Sequence, residues 1–171
     1  MNVKAMIQTH PRRWLLMVAL VPLVLLLFGL YLQHVVGLVP CPMCIVQRYA
    51  LVLVMVCAAL AASRSPFRWQ LFWVVAWVLF GLFGAYVAAR QSWLQWYPPE
   101  VVSCGRDFYG MIETFPLQRA IPMIFRGGGD CSQIDWTLLG GSIANWSFIA
   151  FVGLSVLGVC TLWWRWTSRQ A

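Results

Sequence analysis

Pro40-Cys41-Pro42-Met43-Cys44-Ile45-Val46-Gln47-Arg48 is the stretch whose reading decides this chain. Two cysteines stand three residues apart, and an uncharged apolar run follows, from Tyr49 to Ala62. Pro42 suits the first turn of a helix, where its missing N–H costs nothing. The pattern predicts a helix over 43–62 that opens on the cysteines. Arg48 then lies four residues beyond Cys44, about one turn along the same face. Two sulfurs in this spacing can close a tight disulfide, ligate a metal or do neither.

Working outward, the whole chain is apolar. Of 171 residues, 61% are hydrophobic and 10% charged, against about 25% charged in a soluble domain. So little charge cannot cover a water-exposed surface. The expected class is an all-α membrane protein, a bundle of four transmembrane helices over 14–32, 43–62, 69–89 and 143–164, forming a single unit. Residues 14–32 carry no charge over nineteen positions, enough to span about 30 Å of hydrocarbon. A cleaved signal peptide would have a shorter apolar core and a small-x-small site. Gln33-His34 and the residues after it offer none, so a retained first helix is expected, with Pro22 tolerated inside it. Trp69, Trp73 and Trp77 recur at helical spacing and read as packing and lipid contact.

Residues 90–142 break the apolar pattern. About fifty residues is too long for an ordinary connection, and loops of that length usually carry function. Inside it, Phe115 to Phe125 is apolar but interrupted by prolines. Such a segment either lies on the membrane surface or folds against the bundle.

The net charge of +7 raises nucleic acid as a partner. Its distribution argues against one. With both termini cytoplasmic, Lys4, Arg12, Arg13, Arg64, Arg68, Arg165 and Arg169 share one side with no acid. On the other side five basic and five acidic residues cancel. That is the positive-inside pattern of a multi-pass protein in the bilayer, and it makes 90–142 an outer loop.

This orientation sorts the six cysteines. Cys41, Cys44, Cys104 and Cys131 face the oxidising side, where disulfides persist. Cys57 lies thirteen residues below Cys44, about 20 Å deeper. It and Cys160 read as small buried hydrophobes. A zinc site would want a second knuckle, but Cys104 and Cys131 are 27 residues apart. A c-type haem needs His where Ile45 stands, and a thioredoxin-type motif needs a soluble βαβ setting. No metal is expected. Two inert structural disulfides and a membrane dithiol exchanging with a second pair both remain open. For the second, Cys44 sits in the first helical turn, near unpaired N–H groups and the positive dipole end. Arg48 adds a full charge. Both favour thiolate, the reactive form. Arg48 also has a plain reading, snorkelling its guanidinium to the interface. His34 reads as a proton carrier or an interfacial polar residue. Gln47 reads as a ligand-bonding group or an interfacial one. Asn145-Trp146-Ser147 is a glycosylation sequon expected to arise by chance.

Taken together, Gln33-His34, the block Pro-Cys-x-x-Cys-Ile-x-x-Arg at 40–48, Tyr97-Pro98 before Cys104, Gly129-Asp130-Cys131 and Trp136-x-x-Leu139-Gly140 resemble the DsbB family of disulfide bond formation proteins. The likeness runs from the first helix to the fourth. It implies a bacterial inner-membrane enzyme, a quinone-dependent thiol-disulfide oxidoreductase that reoxidises a periplasmic DsbA-like thiol oxidase. It further implies redox-active pairs Cys41–Cys44 and Cys104–Cys131. The partner would attack at Cys104, Cys131 would pass to Cys41, and Cys44 would hand electrons to ubiquinone or menaquinone beside Arg48. The competing expectations are a structural or binding membrane protein with inert bridges, and a reductase running a similar relay in reverse.

Overall fold

A computed structural model describes residues 10–98, 117–126 and 129–170. Among them, four helices are long and apolar enough to cross a membrane. They are α1 (Pro11–His34), α2 (Pro42–Ser63), α3 (Phe67–Trp96) and α6 (Ile143–Gln170). Between α3 and α6 lie α4 (Leu117–Arg126), α5 (Gly129–Ser132) and a hairpin of β1 (Thr137–Leu138) and β2 (Gly141–Ser142).

The helices pack in chain order, α1 on α2, α2 on α3 and α3 on α6. Short links dictate the first two pairings, because antiparallel neighbours need few connecting residues. The outward faces remain apolar. Leu16, Leu20, Val24 and Leu27 of α1 are exposed, as helices facing lipid require. Inside, small residues let backbones approach. Gly84 of α3 sits under the Phe151 ring of α6, and a Cβ there would overlap that ring. A core of Val54, Cys57, Ala58, Ala61, Val74, Trp77 and Leu154 fills the half of the bundle away from Cys41. Trp77 is fully buried while Trp69 and Trp73 are half-buried, so the tryptophan stripe is mostly packing.

The expected end of the third helix needs correction. The third helix does not stop at Ala89 but continues to Trp96. Its small-residue stripe at Gly81, Gly84, Ala85 and Ala88 carries on into buried Gln91 and Ser92, so polar residues there extend the packed face. Thirty residues rise about 45 Å, more than about 30 Å of hydrocarbon requires. The loop also has structure of its own. Ile124 of α4 is buried in a cluster with Met43, Leu94 and Cys131, while Gln118, Arg119 and Ile121 are exposed. The segment therefore folds against the bundle along one edge. The hairpin pairs Thr137 with Ser142 and Leu138 with Gly141. Its two turn residues, Leu139 and Gly140, both have positive φ, at 51° and 80°. Such a two-residue turn favours Gly, and matches the twist of the strands it joins.

Candidate functional site

The helix start at Cys41 is built by its own residues. Cys41 is the N-cap in extended conformation, Pro42 takes the first helical position, and the Cys41 Sγ accepts from the Cys44 N–H at 3.3 Å. Capping of this kind satisfies one of the unpaired N–H groups of the first turn. It also brings the two sulfurs together. Sγ of Cys41 and Sγ of Cys44 are 2.8 Å apart.

A third sulfur joins them. The Cys131 side chain is hydrogen-bonded to Cys41, and Cys41, Cys131, Met43, Val87, Leu94 and Ile124 form one buried cluster. Cys131 is fully buried and Cys41 nearly so. The hydrogen bonds with Cys131 and then Cys44, together with burial, push the Cys41 thiol well above its usual range. Cys41 thus stands between two other sulfurs as a neutral group. Among the expected site residues, Cys41, Cys44 and Cys131 come together. Cys104, and with it the expected Cys104–Cys131 pair, lies outside the described residues.

Arg48 is half-buried one turn below Cys44. Its guanidinium donates to the Gln33 side-chain oxygen and, at 3.1 Å, to the Gly29 carbonyl of α1. Both partners belong to α1, so Arg48 ties α2 to that helix. Beside it lies a cavity of about 400 Å³ lined by Gly29, Gln33, Cys44, Arg48, Gln91 and Trp136 among others. Small-molecule sites run to about 300–1,000 Å³, largely apolar with a few fixed polar groups. Phe28 and Trp136 meet edge to face with ring centroids 6.0 Å apart, closing one side. Ser142 caps α6 through the Asn145 N–H and donates to Gln95 of α3 at 2.6 Å. That bond fixes the segment following Cys131 across the cavity.

Sequence reading missed Gln91. Its Nε2 donates to Sγ of Cys41 and of Cys44, both at 3.3 Å, and its Oε1 accepts from Gln47 Nε2 at 2.7 Å. The available signal was the α3 stripe, since Gln91 follows Ala88 at three residues on the buried face. Gln47, read as interfacial or ligand-bonding, is instead buried against Gln91. His34 is exposed at the end of α1 and does not line the cavity. Cys57 sits in the apolar core near the opposite end. Among the described residues, no group of three or more His, Cys, Asp or Glu is placed to hold a metal ion.

The chain matches the family model of the disulfide bond formation protein DsbB over residues 11–161. Three relatives, each called disulfide bond formation protein B, illustrate the range. The Polaromonas naphthalenivorans protein is 68% identical, covering 86% of this chain and 89% of its own. The Albidiferax ferrireducens protein is 64% identical, covering 96% and 94%. One from an Azoarcus species is 52% identical, covering 82% and 86%.

Proposed function

Because this chain belongs to the DsbB family, a family of multi-pass membrane proteins, we propose that it reoxidises a DsbA-like periplasmic thiol oxidase and passes the electrons to membrane quinone. In this reading it lies in the bacterial inner membrane, with both termini cytoplasmic and the cysteine end periplasmic. The observation that carries it is the contact of Cys131 with Cys41 while Cys44 stands 2.8 Å away. Inert bridges have no need of a third sulfur at the same atom.

The exchange proceeds as follows. The partner's thiolate attacks the Cys104–Cys131 disulfide at Cys104, and the electron pair leaves on Cys131. Sγ of Cys131 then attacks Sγ of Cys41 in the Cys41–Cys44 disulfide. The Cys131–Cys41 bond forms, the Cys41–Cys44 bond breaks, and the electron pair leaves on Cys44. Thiol exchange runs through thiolates in this way. The partner's second thiolate then attacks the partner sulfur bonded to Cys104, which closes the partner's own disulfide, and the electron pair leaves on Cys104. Cys104 then attacks Cys131 in the Cys131–Cys41 bond, which re-forms the loop pair and leaves Cys41 and Cys44 both reduced.

The cavity beside Cys44 fits a quinone ring. It is about 400 Å³ in volume, apolar along Leu32, Leu51 and Trp136, and bears one cation at Arg48 for a carbonyl oxygen. When bound, ubiquinone or menaquinone supplies the two-electron sink. Arg48 would hold the ring's oxygen, Trp136 and Phe28 would exclude water, and Cys44 would face it as the electron-bearing sulfur.

The test is trapping with an alkylating agent in detergent. Without quinone, reduced partner should produce first a Cys41–Cys131 disulfide, identified by peptide mapping at early times, and then reduced Cys41 and Cys44, which return to the disulfide when quinone is added. If Cys41–Cys44 stays intact while the partner reduces Cys104–Cys131, the relay is wrong and the Cys41–Cys44 bridge is structural.

A further inference from the structure

We infer that Gln91 is a catalytic residue of the Cys131-to-Cys41 exchange, donating an N–H to the sulfur that leaves, and that Gln47 is the positioning residue that sets which end of the Gln91 amide faces the sulfurs. The inference rests on the relay proposed above and adds two residues to it.

The geometry is specific. Gln91 comes from the part of α3 beyond the predicted span, is 4% exposed, and places Nε2 3.3 Å from both Sγ atoms. One donor thus serves the attacked sulfur and the leaving sulfur together. In the step, the Cys131–Cys41 bond forms, the Cys41–Cys44 bond breaks, and an electron pair arrives on Sγ of Cys44. A hydrogen bond to an ionised acceptor is roughly twice as strong as one between neutral groups. The bond from Gln91 therefore strengthens as the charge develops, which is the condition for lowering a barrier. Gln91 is an amide, so it stabilises this charge without taking up or releasing a proton. Arg48 does not replace it, for its guanidinium is bonded to Gln33 and Gly29 on the α1 side.

An amide has two unlike ends. Turned over, it would set Oε1 against a forming thiolate, an unfavourable contact. Gln47 prevents this. It is buried three residues after Cys44, on the same face of α2, and its Nε2 donates to Oε1 of Gln91 at 2.7 Å. Both amides and both cysteines are carried by the packed ends of α2 and α3, elements that hold geometry better than loops.

The experiment uses the full chain in detergent with Gln91→Met, Gln91→Glu and Gln47→Met. Methionine keeps the volume and removes the donor. Glutamate also keeps an acceptor for Gln47, so it guards against a packing failure in the methionine variant. Two readouts are taken without quinone. One is the equilibrium of the Cys41–Cys44 pair in glutathione buffers, and the other is the rate at which Cys44 becomes alkylatable after reduced partner is added. Gln91→Met should shift the equilibrium about tenfold toward the disulfide, about 30 mV, and slow Cys44 release about tenfold. Gln91→Glu should do at least as much. Gln47→Met should shift both in the same direction, about threefold. Wild-type values in both Gln91 variants would overturn the role of Gln91. A Gln47→Met equal to wild type, beside impaired Gln91 variants, would overturn the positioning role. If the wild-type chain itself never releases Cys44, the relay fails and not this addition to it.

Discussion

The two ends of the bundle are made of the same residue types and arranged for different ends. At the cysteine end, Arg48 bonds to Gln33, Cys44 bonds to Gln91, and a cavity of about 400 Å³ opens between them. At the other end, Arg165 donates to Gln70 at 2.6 Å, and Cys57 lies in the core. There the Trp14 indole N–H donates to Thr161 at 2.9 Å, and Arg12 reaches the Ala62 carbonyl at the end of α2. The space beside Gln70 and Arg165 is only about 10 Å³. An arginine, a glutamine and a cysteine therefore do not make a redox site. The difference lies in whether a second sulfur is in reach and whether the neighbouring helices leave room for a ring.

Exchanging serine for cysteine at each end is the strongest attempt to break this comparison. Cys44→Ser should bring quinone-dependent oxidation of reduced partner down by at least about a hundredfold, because the reactive thiolate is gone. Cys57→Ser should keep most of the rate, with folding checked by thermal melting. Near-equal activity of the two variants would erase the distinction between the ends.

Packing comes next. Gly84→Ala drives a methyl into the Phe151 ring where α3 meets α6. Overpacking of this kind costs about 1–3 kcal/mol, read as an earlier thermal transition in detergent. Phe151 also lines the cavity, so apparent quinone affinity should fall as well. A loss of stability with unchanged quinone dependence would show that the cavity is insulated from this contact.

The arginines sharpen the comparison further. Arg48→Met should weaken apparent quinone affinity about tenfold, the order expected for one charged hydrogen bond, while exchange between Cys131 and Cys41 changes less. Arg165→Met should leave quinone dependence unaltered and touch only stability. An equal effect from both would mean that Arg48 acts through the fold and not on the quinone.

The helix start at Cys41 and Cys44 was legible early, and its surroundings were not. Cys41, Cys44 and Arg48 share nine residues, and helical spacing alone sets them on one face. Cys131 was identifiable as a cysteine on the same side. That it meets Cys41 depends on Ile124, Leu94 and Met43 packing in one cluster from three parts of the chain. Gln91 was hidden for another reason. Hydropathy ends a membrane helix at its first polar residues, and Arg90-Gln91-Ser92 look like such an end. Hydrogen-bonded geometry ends it seven residues later, because buried polar groups that find partners do not break a helix.

By itself, the sequence determined the four apolar spans, their alternation, the charge asymmetry and the helix start at Cys41. Each of these follows from local periodicity, proline geometry or the cost of moving charge through hydrocarbon. Only the tertiary structure decided which sulfur touches which, how far α3 extends, that Gln33 engages Arg48 and Gln47 engages Gln91, and that a ring-sized space remains beside Cys44. Those depend on side-chain packing and hydrogen bonds between residues 15 to about 90 positions apart, to which a periodic pattern is blind.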